Sequence, residues 1–179
     1  MSYTGFGRSK SGVFQVAYVV ENLDKAIRTW VEQQGVGPWF TMSNFTGSDA
    51  TYRGEPSTAS ISLAMAFSGT TCFELIQPDD EQPSIWREHI ERHGYGFHHF
   101  GKLSSDFDAD IERYVNEGHE LVYQAGVPTG GRIGFVDTTD TFPGYQELVE
   151  ADDLTDAMFT QLYAAGLTWD GNDPVRPFG

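Results

Sequence analysis

The sequence predicts an α+β protein in which one plan, a strand, a helix and three more strands, occurs twice. Two observations predict it. Strand-like and helix-like hydrophobic patterns follow in the same order along residues 13–77 and 97–150, and a fixed offset superposes the first strand and helix of each half. The 39% hydrophobic and 14% aromatic content of 179 residues supplies a core for a unit of that size. Four segments follow: an arm over 1–12, a first module with its linker over 13–83, a linker helix and second module over 84–150, and a helix and tail over 151–179.

Residues 13–20 form a near-continuous apolar run and read as a buried strand. Asn22 caps a helix whose inward face is Leu23, Ala26, Ile27, Trp30 and Val31, and Gly35-Val36-Gly37-Pro38 ends it. A short strand follows over 39–45. Residues 46–58, rich in Gly, Ser, Asp and Pro, read as a mobile loop. Residues 60–67 and 70–77 make a hairpin, a polar linker runs over 78–83, and Ser84 caps a short helix to His93.

The second half starts with a strand at 97–103. Simple alternation places Phe97, His99 and Gly101 on one face and His98, Phe100 and Lys102 on the other. Ser105-Asp106-Phe107-Asp108 opens a helix with Phe107, Ile111, Tyr114 and Val115 inward, stopped by Gly118. Strands follow over 119–124, 132–137 and 145–150. Beyond them, Leu154, Ala157, Met158, Gln161, Leu162 and Ala165 suit an amphipathic helix, and the tail should pack back through Trp169 and Phe178.

The halves align strand on strand. Gln15-Val16-Ala17-Tyr18-Val19 falls on His99-Phe100-Gly101-Lys102-Leu103, and Ile27 falls on Ile111 with the same offset. At the end of each half, Phe73-Glu74-Leu75-Ile76 matches Gln146-Glu147-Leu148-Val149. Four polar residues thereby occupy equivalent places inside strands: Gln15, Glu74, His99 and Glu147. Taken singly, each reads as a structural residue, a bonded amide or a carboxylate at a sheet edge. Taken together, two carboxylates among apolar same-face neighbours call for a cation, a proton or strong donors. A divalent ion satisfies all four. Three oxygens and one imidazole nitrogen suit five or six ligands around Mn, Fe, Co, Ni, Mg or Zn.

Charge excludes other classes. With 26 acidic and 11 basic residues the net charge is -15, which disfavours nucleic acid and anionic membranes. No stretch is long and apolar enough for a membrane helix, and the Ser/Gly-rich start lacks a leader's hydrophobic segment. The single Cys72 has no internal disulfide partner and fits a reducing cytoplasm. His89 and His93 have zinc-ligand spacing but no third ligand, and are expected on a solvated linker helix.

The modules resemble the vicinal oxygen chelate superfamily of glyoxalase I, methylmalonyl-CoA epimerase, extradiol dioxygenases and bleomycin-resistance proteins. The matching segments are residues 15–26, 35–40 (Gly35-Val36-Gly37-Pro38-Trp39-Phe40), 73–78, 93–99 and 146–150. The resemblance implies two βαβββ modules paired in one chain, their sheets curving into an open cup around a metal. It also implies the metal ligands Gln15, Glu74, His99 and Glu147, a quartet similar to that of glyoxalase I. His98 falls one position off this register and is expected outside the cup.

An isomerase, epimerase or lyase is the implied activity, with proton abstraction beside a metal-chelated carbonyl or hydroxyl of a small, partly apolar substrate. Glu147 is the first candidate base and Glu74 the second acid/base. Trp39, Phe40, Phe45, Trp86, Phe135, Phe142 and Tyr145 are the candidate substrate-binding residues. Arg28, Arg53, Arg87 and Arg132 match no motif for the carboxylates of glutathione, which is therefore disfavoured, and the acidic composition does not favour CoA. Look-alikes are commonly dimers, so a homodimer is possible. The alternatives are a non-catalytic protein that sequesters a hydrophobic compound and an Fe(II) ring-cleaving dioxygenase. Gln15 in place of a histidine speaks against the latter.

Overall fold

The computed structural model of the chain describes residues 4–10 and 12–178. The first module consists of β1 (Val13–Val19), α1 (Leu23–Thr29), β2 (Trp39–Phe45), β3 (Ser48–Tyr52), β4 (Glu55–Pro56), β5 (Ile61–Ser68) and β6 (Thr71–Pro78). A linker helix α2 (Ile85–His93) leads to β7 (Gly96–Ser104), α3 (Phe107–Asn116), β8 (Leu121–Gly126), β9 (Arg132–Asp137) and β10 (Tyr145–Glu150). Helix α4 (Asp153–Leu167) and strand β11 (Val175–Pro177) complete the described chain. Asn22 caps α1 as expected, its side chain accepting from the Lys25 amide at 2.8 Å. Asp106 does the same for α3.

All strands join one curved, mixed sheet in the order β11-β2-β5-β6-β1-β7-β10-β9-β8-β3-β4. The modules meet where β1 runs antiparallel to β7. Inside each, the first strand lies parallel to the last. Gln15 faces Cys72 and Ala17 faces Glu74 across β1 and β6. His99 faces Tyr145 and Gly101 faces Glu147 across β7 and β10. The repeated sequence thus pairs its strands in a repeated register.

Residues 46–58 are not the loop expected from their composition. They fold into β3 and β4, and β3 pairs with β8 of the other module. Their backbone groups are satisfied by an edge distant in sequence, which local composition cannot reveal. Only residues 46 and 47 separate β2 from β3, although these strands stand near opposite ends of the strand order. Three chain steps reach at most about 11 Å, so the sheet curls nearly shut. Gly47, at φ 64°, makes the close approach: a Cβ there would lie 2.6 Å from the Ala125 side chain. Arg53 and Tyr52 at the tip of this arm bond Glu88 of α2.

Alternation splits the core into two layers. On the convex side, Leu23 and Ile27 of α1 cover Trp39, Ala64 and Leu75. On the concave side lies the larger cluster, which includes Phe14, Leu63, Ile76, Trp86, Phe135 and Val149. Helix α4 belongs to it: Phe159 stacks edge-on against Phe14 with ring centroids 4.8 Å apart. Of the arm expected over 1–12, residues 1–3 and 11 lie outside the described residues, as does residue 179 of the tail. Phe6 of the arm is buried against Phe14, Phe67 and Phe159. Phe178 packs on Phe40 at 6.2 Å, and Trp169 lies against Gly37, as the tail's aromatics predict. Val115, expected inward on α3, is 49% exposed, and Phe107 is the fully buried residue of that helix.

Candidate metal centre

Each inner strand carries one extra residue just before its site residue. Between Val13 and Gln15, β1 takes two steps while β7 takes one, so Phe14 bulges. Between Phe97 and His99, β7 takes two steps while β1 takes one, so His98 bulges. These two positions correspond in the repeat. Both bulges turn two consecutive side chains inward: Phe14 with Gln15, and His98 with His99, all four at most 1% exposed. This corrects the simple alternation read from the sequence. Phe97 shares a face with Phe100, at a ring distance of 4.7 Å, and not with His99. His98 does not point out of the cup.

The four predicted ligands come together. The ligand atoms of Glu74, His99 and Glu147 lie within 4.8 Å of one another, and all three residues are buried. His99 Nε2 stands 3.3 Å from Glu74 Oε2 and 3.2 Å from Glu147 Oε2. Gln15 Nε2 donates to the same two oxygens at 2.8 and 3.2 Å and lies 3.4 Å from His99 Nε2. Gly101 leaves room for this convergence: a Cβ there would stand 2.7 Å from Gln15 Cβ and 3.1 Å from Glu147 Oε2.

Electrostatics sharpens the demand for a cation. Burial lifts the Glu74 carboxyl above its usual range, and the Glu147 charge adds to that against hydrogen bonds from His99 and Gln15. Burial alone would lower His99, but Glu147 and Glu74 overrule it and raise the imidazole to about 9. Two carboxylates thus share one positive group. Gln15 Oε1 is buried with no partner. A half-turn of the amide would offer that oxygen to a cation at the centre, beside two carboxylate oxygens and an imidazole nitrogen. The donor set therefore fits a divalent ion.

Around His99 lies a second tier. His98 Nδ1 is 2.9 Å from His99 Nδ1, and His98 Nε2 is buried without a partner. The His89 ring packs 5.0 Å from His98 and is 5% exposed. This corrects the expectation of a solvated pair at His89 and His93: the last turn of α2 exposes His93, while His89 lies one turn earlier on the face that meets β7.

The cluster opens into a cavity of about 100 Å³ that Gln15, Glu74 and Glu147 line at one end. The remaining lining is apolar except for Thr129 and Thr155.

The sequence matches the profile of the Glyoxalase/Bleomycin resistance protein/Dioxygenase superfamily over residues 14–136, more than half of the chain. The chain belongs to that superfamily. No protein of curated function matches it. Among solved structures it is similar to the methylmalonyl-CoA epimerase of Mycobacterium tuberculosis, at 23% identity and a TM-score of 0.60, over 84% of this chain and 95% of that one. A hypothetical protein of Bacillus halodurans C-125 matches at 15% identity and a TM-score of 0.62, over 81% and 97%. A variant of the Streptomyces coelicolor methylmalonyl-CoA epimerase, in complex with 2-nitronate-propionyl-CoA, matches at 21% and 0.58, over 82% and 98%. At these identities the likeness is one of fold, and it extends the superfamily's architecture beyond the profile to most of the chain.

Of the seven aromatic residues expected to bind substrate, Phe45, Trp86 and Phe135 line the cavity. The other four do not. Trp39 is on the convex face beneath α1, because alternation along β2 turns it away. Phe40 faces the concave side but is covered by Phe178. Phe142 is 57% exposed against Phe100, outside the cup. Tyr145 sits beside His98, at a ring distance of 4.9 Å, behind the cluster. The sequence reading missed Leu63 and Met65 of β5, Met42 of β2, and Met158 and Phe178 of the appendage. Period-two alternation on β5 could have found the first two. Among the described residues, no helix is long and apolar enough to cross a membrane.

Proposed function

We propose that the chain is a divalent-metal-dependent isomerase, epimerase or lyase that removes a proton next to a chelated carbonyl or hydroxyl of a small, partly apolar substrate. One observation carries this reading: the buried Glu74, His99 and Glu147 cluster opens directly into an apolar cavity. Gln15, Glu74, His99 and Glu147 would hold the ion, with Mn, Fe, Co, Ni, Mg and Zn all compatible with the donors. When bound, it would polarise a substrate oxygen and acidify the adjacent C–H. Glu147 on β10 is the base and Glu74 on β6 the opposing acid/base, since they approach the centre from different modules. His99 and Gln15 orient both carboxylates, and the apolar walls exclude water from the reacting carbon. A small-molecule substrate, a dimeric assembly and a cytoplasmic setting belong to the same reading.

Metal analysis of protein purified without chelator should find one divalent ion per chain, lost on dialysis against chelator and much depleted in Glu147→Gln. The apolar lining favours a second reading, a protein that sequesters a hydrophobic compound. Metal-free protein that binds aromatic ligands equally well before and after Glu147→Gln would establish that reading instead.

A further inference from the structure

Three segments outside the common strand framework close the cavity. Helix α4 contributes Met158 and Phe159, the tail contributes Phe178, and the β8–β9 connection contributes Val127, Pro128 and Thr129. Two of the three lie beyond residue 136, where the superfamily match ends. The β8–β9 connection is fastened to α4: Thr129 and Thr155 share a hydrogen bond of 3.0 Å, and Thr155 is 1% exposed. The tail is held by β11, which runs parallel to β2. On the opposite flank the two-residue bridge at 46–47 brings the sheet round.

Nothing in this enclosure suits a charged carrier. No Lys, Arg or His is among the described residues that line it. Of the four arginines weighed from the sequence, three are held in ion pairs outside the cavity. Arg53 bonds Glu88 and Glu120, Arg87 bonds Glu81, and Arg132 bonds Asp108 and Glu150. Arg28 is exposed on α1, over the convex face. The cavity of about 100 Å³ is smaller than the sealed one of roughly 150 Å³ that admits benzene, so it holds a short branched chain outright, and a single ring only if part of that ring reaches toward the end lined by Gln15, Glu74 and Glu147.

Resting on the metal-site reading above, we infer that the substrate is a compact molecule whose oxygens meet the Glu74–His99–Glu147 cluster and whose uncharged hydrocarbon group fills the cavity closed by α4 and the tail. CoA and glutathione conjugates are excluded. Met158 and Phe178 set the size and polarity of the group admitted.

The test uses full-length protein loaded with cobalt(II) and three probes: benzohydroxamate, acetohydroxamate and propionyl-CoA. Benzohydroxamate should bind about tenfold to a hundredfold more tightly than acetohydroxamate, the advantage of burying one ring. Met158→Glu should erase that advantage while the protein still takes up cobalt. Should that variant misfold, Phe178→Ala serves instead: it should enlarge the space and improve binding of 2-naphthohydroxamate relative to benzohydroxamate. Equal affinity for the two smaller hydroxamates, or tighter binding of propionyl-CoA than of benzohydroxamate, overturns the inference. Toluene binding separates the two readings. If cobalt does not bind at all but toluene does, and Met158→Glu abolishes it, the metal reading fails while the apolar site stands. If cobalt binds and toluene does not, the apolar site fails alone.

Discussion

The two modules share the paired first and last strands that hold the site and differ in what those strands carry. Both bulge just before the site, and both supply one carboxylate from the last strand. The first module fills the bulge with Phe14 and presents Gln15. The second fills it with His98 and presents His99. An amide cannot gain or lose a proton in the physiological range, whereas an imidazole can. Beside its carboxylate the first half therefore sets a neutral amide, and the second sets an ionisable ring. The two halves aim their side chains with the same geometry, and within the site the pair Phe14-Gln15 against His98-His99 makes them unequal.

Making the halves alike should break the site. His99→Gln leaves two amides between two carboxylates and should weaken cobalt(II) binding by more than about a hundredfold, since even outer partners of a metal are worth tens of fold. A spectroscopic cobalt titration reads this directly. The same imidazole governs stability in chelator-treated protein. His99 titrates at about 9 in the fold against an ordinary 6.5, so the folded chain holds this proton over a range in which the unfolded chain has lost it. Its contribution is full below pH 6.5 and is lost as pH rises to 9, a change on the order of 3 kcal/mol. Urea titrations across that window should show the fall, and His99→Gln should flatten it.

A smaller effect comes from Gly101, whose counterpart in the first half is Ala17. Gly101→Ala drives a methyl into Gln15 and should cost about 1–3 kcal/mol in urea unfolding while lowering cobalt affinity. The mildest change, His98→Phe, copies Phe14 into the second half. It removes the contact to His99 Nδ1 and should reduce cobalt affinity by about tenfold, with the fold intact by circular dichroism. Unchanged affinity would reduce His98 to a packing residue.

The site was legible because duplication gave each polar residue a partner to be compared with. Glu74 and Glu147 look like edge carboxylates until the repeat places both beside apolar neighbours. The bulges were not legible: Phe14-Gln15 aligns with His98-His99, but strict alternation turns Phe14 and His98 outward, and only the strand register shows the extra residue. The pairing of β3 with β8 left no trace, because residues 48–52 have the composition of a loop and their partner strand lies far along the chain. Aromatic content was a poor guide to the cavity. Rings such as Trp39 serve the convex layer, while methionines and branched chains on period-two faces form much of the wall.

The short link between β2 and β3 has a mechanical meaning. It makes the sheet a hoop, with the two modules as staves that cannot swing apart like the valves of a shell without straining those two residues. Helix α4 and the tail stand at one end of that hoop, with Met158, Phe159 and Phe178 as the lining they add to the space inside it.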